Sequence, residues 1–147
     1  MSPVKVLAAA AAAVLTITLA AGPADAAPPT KFGTIQYDSP GTDRGSNRSL
    51  NAEWVTIVNH GKKTWNLKGW TLRDRTGHVY RFPRFQLHPG KSVRIHTGRG
   101  RNDRNDLFWR QSWYVWNNDG DTAVLKKANR RVVDRCRWGD GSGHISC

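Results

Sequence analysis

Two stretches of basic residues are spaced to do chemistry. Arg99, Arg101 and Arg104 share one polar stretch, with Arg110 just beyond it. Lys126, Lys127, Arg130 and Arg131 crowd a second. Guanidinium forks match phosphate and carboxylate oxygens two at a time, and ammonium groups add point charge. Both stretches therefore suit contact with an acidic polymer, independent of its sequence and steeply weakened by salt. The whole chain carries 23 Lys and Arg against 11 Asp and Glu, a net charge of +12, and 15 of the 23 are Arg. DNA or an anionic cell-wall polymer is the expected partner, with a protein as a further option. A biased codon supply would give the same Arg excess, and a solvated basic surface the same charge, with no partner behind either. No RNP-type aromatic motif or recognition helix is present, which argues against base-specific readout.

Other chemistries have less support. Asp38, Asp43, Asn47, Asn51 and Glu53 gather oxygen donors around one segment, the hard set that calcium prefers, and Asp119 and Asp121 flank Gly120. Neither group has EF-hand spacing, and Asp and Asn are also ordinary turn residues. Calcium is the one cofactor these residues suggest. Glycoside hydrolysis needs two carboxyl groups in opposed environments. Glu53 is the only Glu, and it is expected to accept local hydrogen bonds. No Gly-x-Ser-x-Gly elbow exists for a serine nucleophile. A small basic nuclease would use His as general acid or base with Arg on phosphate. His60, His78 and His88 lie in or beside turns, His96 points outward from a strand, and His144 lies near the C-terminus, none in a recognised nuclease motif. Trp113, Trp138 and Trp65 are candidate stacking platforms for a glycan. A non-catalytic binding module is the expectation.

The elements that must position these residues read as strands. Phe32 to Tyr37 alternates, with Ile35 and Tyr37 on one face. A loop follows from Asp38 to Asn47. Leu50 to Asn59 is the strongest strand: Glu53, Val55, Ile57 and Asn59 share one face, Trp54, Thr56 and Val58 the other. Bulk on both faces makes it central. A short strand near Trp65 precedes a hairpin of Trp70–Arg73 and Val79–Phe82, turning at Asp74–Gly77. Phe85 and Leu87 lead into the Pro89-Gly90 turn. Val93, Ile95 and Thr97 face inward, before the polar loop from Gly98 to Asp106. A last hairpin pairs Thr122–Lys126 with Arg131–Arg135 around Ala128-Asn129. No helical period appears. Short strands at such spacing predict an all-β sandwich.

The N-terminus reads as a secretory signal peptide. Lys5 is followed by an apolar stretch from Val6 to Ala21, too short to span a membrane, and then by the Ala24-Asp25-Ala26 cleavage signal. The expected layout is signal peptide 1–26, linker 27–31 and one domain over 32–147, exported and monomeric. Cys136 and Cys147 both survive cleavage into an oxidising compartment with nothing else to pair with, so a disulfide is expected. A zinc site would need more Cys or His at ligand spacing than His144 supplies.

The ordered series of blocks carries a further signal. Glu53-Trp54-Val55-Thr56-Ile57-Val58-Asn59 is followed by Gly69-Trp70-Thr71-Leu72-Arg73-Asp74, Tyr80-Arg81-Phe82-Pro83 and Leu87-His88-Pro89-Gly90. Val93 to Gly98, Leu107-Phe108-Trp109 and Val115 to Leu125 complete it. This series resembles the lamin tail domain family, an immunoglobulin-like β-sandwich that also occurs in secreted bacterial proteins. The resemblance covers about Phe32 to Arg135. It implies that Trp70, Trp109 and Trp116 are core residues. It also implies an adaptor role, since the domain is linked with DNA, chromatin and protein binding in animal lamins and accompanies secreted enzymes in bacteria. It names no ligand.

Overall fold

A computed structural model describes residues 3, 12–14, 17 and 29–147. The expected signal peptide lies almost wholly outside the described residues. Among those described, no helix is long and apolar enough to cross a membrane.

Eleven strands and one short helix follow in chain order: β1 (Thr30–Gln36), α1 (Asn47–Asn51), β2 (Trp54–Asn59), β3 (Trp65–Asn66), β4 (Thr71–Arg73), β5 (Val79–Arg81), β6 (Gln86–Leu87), β7 (Ser92–His96), β8 (Asp106–Phe108), β9 (Asp121–Lys126), β10 (Val132–Trp138) and β11 (His144–Ser146). They form a five-stranded sheet, β11-β1-β2-β7-β8, and a four-stranded sheet, β10-β9-β4-β5, with a small β3-β6 ladder beside them. The expected immunoglobulin-like sandwich is present, and β2 sits at the centre of the larger sheet.

Alternation explains the layering. Val55, Ile57, Val93, Ile95 and Leu107 bury from one sheet, and Leu72, Tyr80, Ala123, Leu125 and Val133 from the other. Glu53, Val55, Ile57 and Asn59 are buried while Trp54, Thr56 and Val58 are half-exposed, the face assignment read from period two. In β1 a bulge between Phe32 and Ile35 resets the phase, so Phe32, Ile35 and Tyr37 are all buried. The expected Trp core is extended by Trp138. Rings touch in a continuous chain, stacked at Tyr37–Trp138 (5.0 Å) and tilted or edge-on from there through Trp116 (5.7 Å), Trp109 (5.9 Å) and Tyr80 (5.7 Å) to Phe82 (5.0 Å).

Four details differ from the reading of the sequence. β1 begins at Thr30, inside the expected linker, because Thr30 and Lys31 pair with Asn59 and Val58. Leu50 and Asn51 belong to α1, and the central strand starts only at Trp54. A five-residue helix is too short to display a 3.6 period; its signal is Ser46, whose hydroxyl caps the Ser49 N–H. β11 lies in a Gly- and Ser-rich segment that the sequence does not mark as a strand: from Gly139 to Ser146, Ile145 is the single apolar residue. It nevertheless pairs with β1, Ile145 opposite Ile35. Cys136, on β10, is bonded to Cys147, just past β11, with Cα atoms 5.9 Å apart. The disulfide therefore joins the facing edges of the two sheets.

Candidate functional site

The connection carrying Arg99, Arg101 and Arg104 joins two parallel strands. β8 runs parallel to β7, with Arg94 opposite Asp106 and His96 opposite Phe108. A parallel neighbour cannot be reached by a tight turn, so the chain must travel back along the sheet. Arg99 stays at the end where β2 begins. There the Asn47 carboxamide donates to the Arg99 carbonyl (2.9 Å) and accepts its N–H (2.7 Å), and Asn51 donates to the same carbonyl (2.9 Å). Arg104 lies at the other end of β7, where the Arg94 N–H donates to the Asn105 carbonyl at 2.9 Å. One loop in sequence thus spreads its arginines over roughly 15 Å, the length of a five-residue strand.

Arg110 joins Arg99: its N–H donates to the Gly98 carbonyl at 2.9 Å. α1 brings Arg48 to the same end. Trp113 is there too, 60% exposed, its ring lying against Gly45, with Tyr114 beside it tied to Ser49 and Gly45.

The second basic stretch forms the β9-β10 hairpin tip. It lies at the opposite end of the sandwich, because Asp134, near the tip, accepts the N–H of Phe32, which pairs with Ile57 toward the end of β2. The eight cations read from the sequence are therefore divided between two ends, with Arg104 apart from Arg99. The Lys126 and Lys127 side chains are half-buried; the Lys127 ammonium lies 5.2 Å from the Trp65 ring, and Lys63 lies 4.9 Å from it.

The oxygen-rich segment is not arranged as one ligand set. Glu53 is 1% exposed and points inward. Its carboxylate accepts from the Thr97 hydroxyl (2.6 Å) and the Val115 N–H (2.9 Å), partners 44 and 62 residues away, not the local ones expected. Burial pushes its pKa to about 7, with these hydrogen bonds opposing the rise and the charge of Asp43 adding to it. Asn47 and Asn51 are committed to Arg99. Asp121 is buried, accepting from Arg75, Thr122 and Asn117 backbone N–H groups. Among the described residues, no three His, Cys, Asp or Glu side chains converge as a metal-binding group.

The histidines are dispersed. His78 contacts Asp74 at 2.6 Å. His96, expected outward, is half-buried between the Asn51 carbonyl and the Asp106 carboxylate, both at 2.7 Å, and stacks on Phe108. Of the three tryptophans considered as platforms, Trp138 is only 6% exposed, stacked on Tyr37, with its indole N–H donating to the Asn117 carbonyl. Trp113 alone stands open.

A family model described as Lamin Tail Domain matches residues 23–140. The chain belongs to the lamin tail domain family. No curated protein matches it. The family is one of non-enzymatic, immunoglobulin-like domains. In this lamin tail domain, β11 and Cys147 lie beyond the matched residues, so the disulfide anchors a segment after the family pattern ends.

Sequence reasoning missed Arg84 and Lys91. Each stands alone in the sequence, and only the return of the chain from Gly98 to Asn105 sets Arg104 beside them in a groove of about 970 Å³. It also missed Arg94, whose guanidinium lies 3.9 Å from the centre of the Trp54 ring.

Proposed function

We propose that this protein is an exported, monomeric, non-catalytic binding module that holds an extracellular polyanion through its arginine-rich loops. The observation that carries this reading is a surface of cations without salt-bridge partners among the described residues. Arg84, Lys91, Arg99, Arg101, Arg104 and Arg110 have no carboxylate within salt-bridge distance among the described residues. Two candidate arginines add to it. Arg110 (φ 65°) and Arg130 (φ 68°) hold left-handed backbone, where a side chain costs about 1 kcal/mol or more and glycine fits freely. A turn alone would favour Gly or Asn at either position. The disulfide fits an oxidising compartment.

Fluorescence anisotropy of labelled duplex DNA across a salt series tests the proposal. Binding should fall linearly on a log–log salt plot. No binding to DNA or to an anionic wall polymer at low salt would refute it. The open, fixed indole of Trp113 favours a second reading, a glycan-stacking role; salt-insensitive retention on a neutral glycan, lost in Trp113→Ala, would support that instead.

A further inference from the structure

A groove lies between the segment from Arg84 to Ser92 and the returning loop at Asp103 to Asn105. Its volume, about 970 Å³, matches a site for a short stretch of polymer. Arg84, Lys91 and Arg104 line it, and none has a salt-bridge partner among the described residues. We propose that this groove binds an acidic polysaccharide, a chain of sugars that alternates carboxylates with hydroxyls. The inference rests on the polyanion reading above and narrows it to one surface and one ligand class.

The other lining groups decide between classes. Gln86, Ser92 and Asn105 present side chains that both donate and accept, and all three are exposed. The Asp103 carboxylate also lines the groove. Its Oδ1 accepts from the Asn105 and Asp106 N–H groups, both at 2.8 Å, and its Oδ2 makes no described hydrogen bond. Acceptors serve no purpose toward a DNA phosphodiester backbone, which offers only acceptors. Sugar hydroxyls need both donors and acceptors, while uronate carboxylates take the guanidinium forks. Phe85, partly buried at the groove wall, supplies an apolar surface for the C–H face of a sugar ring. His88 is steadied by Thr64, 3.0 Å from its Nδ1, and adds one more polar edge. The groove's cations match the carboxylates and its polar side chains match what lies between them.

The test uses an end-labelled galacturonate oligomer and a duplex DNA of matched charge, titrated at fixed salt with the purified protein. Galacturonate should bind more tightly than DNA. Arg84→Ser with Arg104→Ser should weaken it about tenfold or more, as loss of two charge-assisted contacts implies. Arg135→Ser with Arg137→Ser, exposed on β10 and outside the groove, should change it less than about threefold. Gln86→Ala should weaken galacturonate binding and leave DNA binding unchanged. If the protein binds galacturonate but the Arg84/Arg104 variant binds equally well, the groove is wrong and the polyanion reading survives. If DNA binds more tightly and competes galacturonate away, the ligand class is wrong. If neither polymer binds at low salt, both proposals fall. Thermal melts of each variant separate lost contacts from lost folding.

Discussion

The Thr97 hydroxyl donates to the Glu53 carboxylate across 2.6 Å inside the sandwich. Glu53 sits just before β2 and Thr97 just past the end of β7, and the Val115 N–H completes the contact from a third segment. One carboxyl group thus ties together the chain at the end of the molecule that carries Arg99 and Arg110. The folded pKa of Glu53, about 7, exceeds its ordinary 4.5 because burial disfavours the charge. Between these values the folded state keeps a proton that the unfolded chain releases, so stability falls as pH rises through that window. The difference amounts to roughly 3 kcal/mol. Glu53→Gln should flatten this slope and be more stable than the native protein at pH 8. Chemical denaturation at pH 5 and pH 8 measures it; an unchanged slope would count against this account.

Asp74 works in the other direction. Burial raises its pKa, but donation from Thr76, His78 and Gly77 outweighs that and holds it below the usual 3.8. Its contribution is present above that value and is lost as pH falls through the depressed pKa. Asp74→Asn should cost about 1–3 kcal/mol near neutrality, from broken charge-assisted hydrogen bonds in the β4-β5 turn. The gap to the native protein should narrow in strong acid, which an acid-denaturation curve would reveal.

Removing the disulfide with Cys136→Ala and Cys147→Ala should lower stability by about 2–3 kcal/mol, given a separation of 11 residues. A urea titration of the oxidised, reduced and double-alanine proteins should place the last two together.

Trp138 and Trp113 should separate cleanly. Trp138→Ala removes a ring held between Tyr37 and Trp116 and should cost about 3–5 kcal/mol. Trp113→Ala, at an open surface position, should cost about 0.5 kcal/mol or less. Equal losses would mean that the aromatic chain does not carry the core.

Arg130→Gly should leave stability unchanged or raise it by up to about 1 kcal/mol, by relieving the left-handed backbone. Thermal melts check this directly.

Strand identity and facing were legible because burial on one side of a sheet imposes period two, as in Val93, Ile95 and Thr97. The bulge in β1 and the pairing of β11 were not. The bulge shows only in the register of β1 against β2, and β11 finds its partner more than a hundred residues away, Ile145 opposite Ile35. The basic residues were legible as types, but their grouping was misleading. Neighbours Arg99 and Arg104 are separated by the return along β7, while Arg84, Lys91 and Arg104 are gathered by it. Trp138 shares its residue type with exposed Trp113, and only its stacking on Tyr37 distinguishes it.

The position of β11 has a consequence for how copies of this chain meet one another. It occupies the outer side of β1, pairing at Thr34 and Gln36, and Cys147 holds it there. A bare β1 would present a row of unsatisfied peptide groups, a template onto which a second molecule could add its own strand. The covalent bridge therefore acts as a guard on a sticky border, and its reduction would encourage self-association before global unfolding.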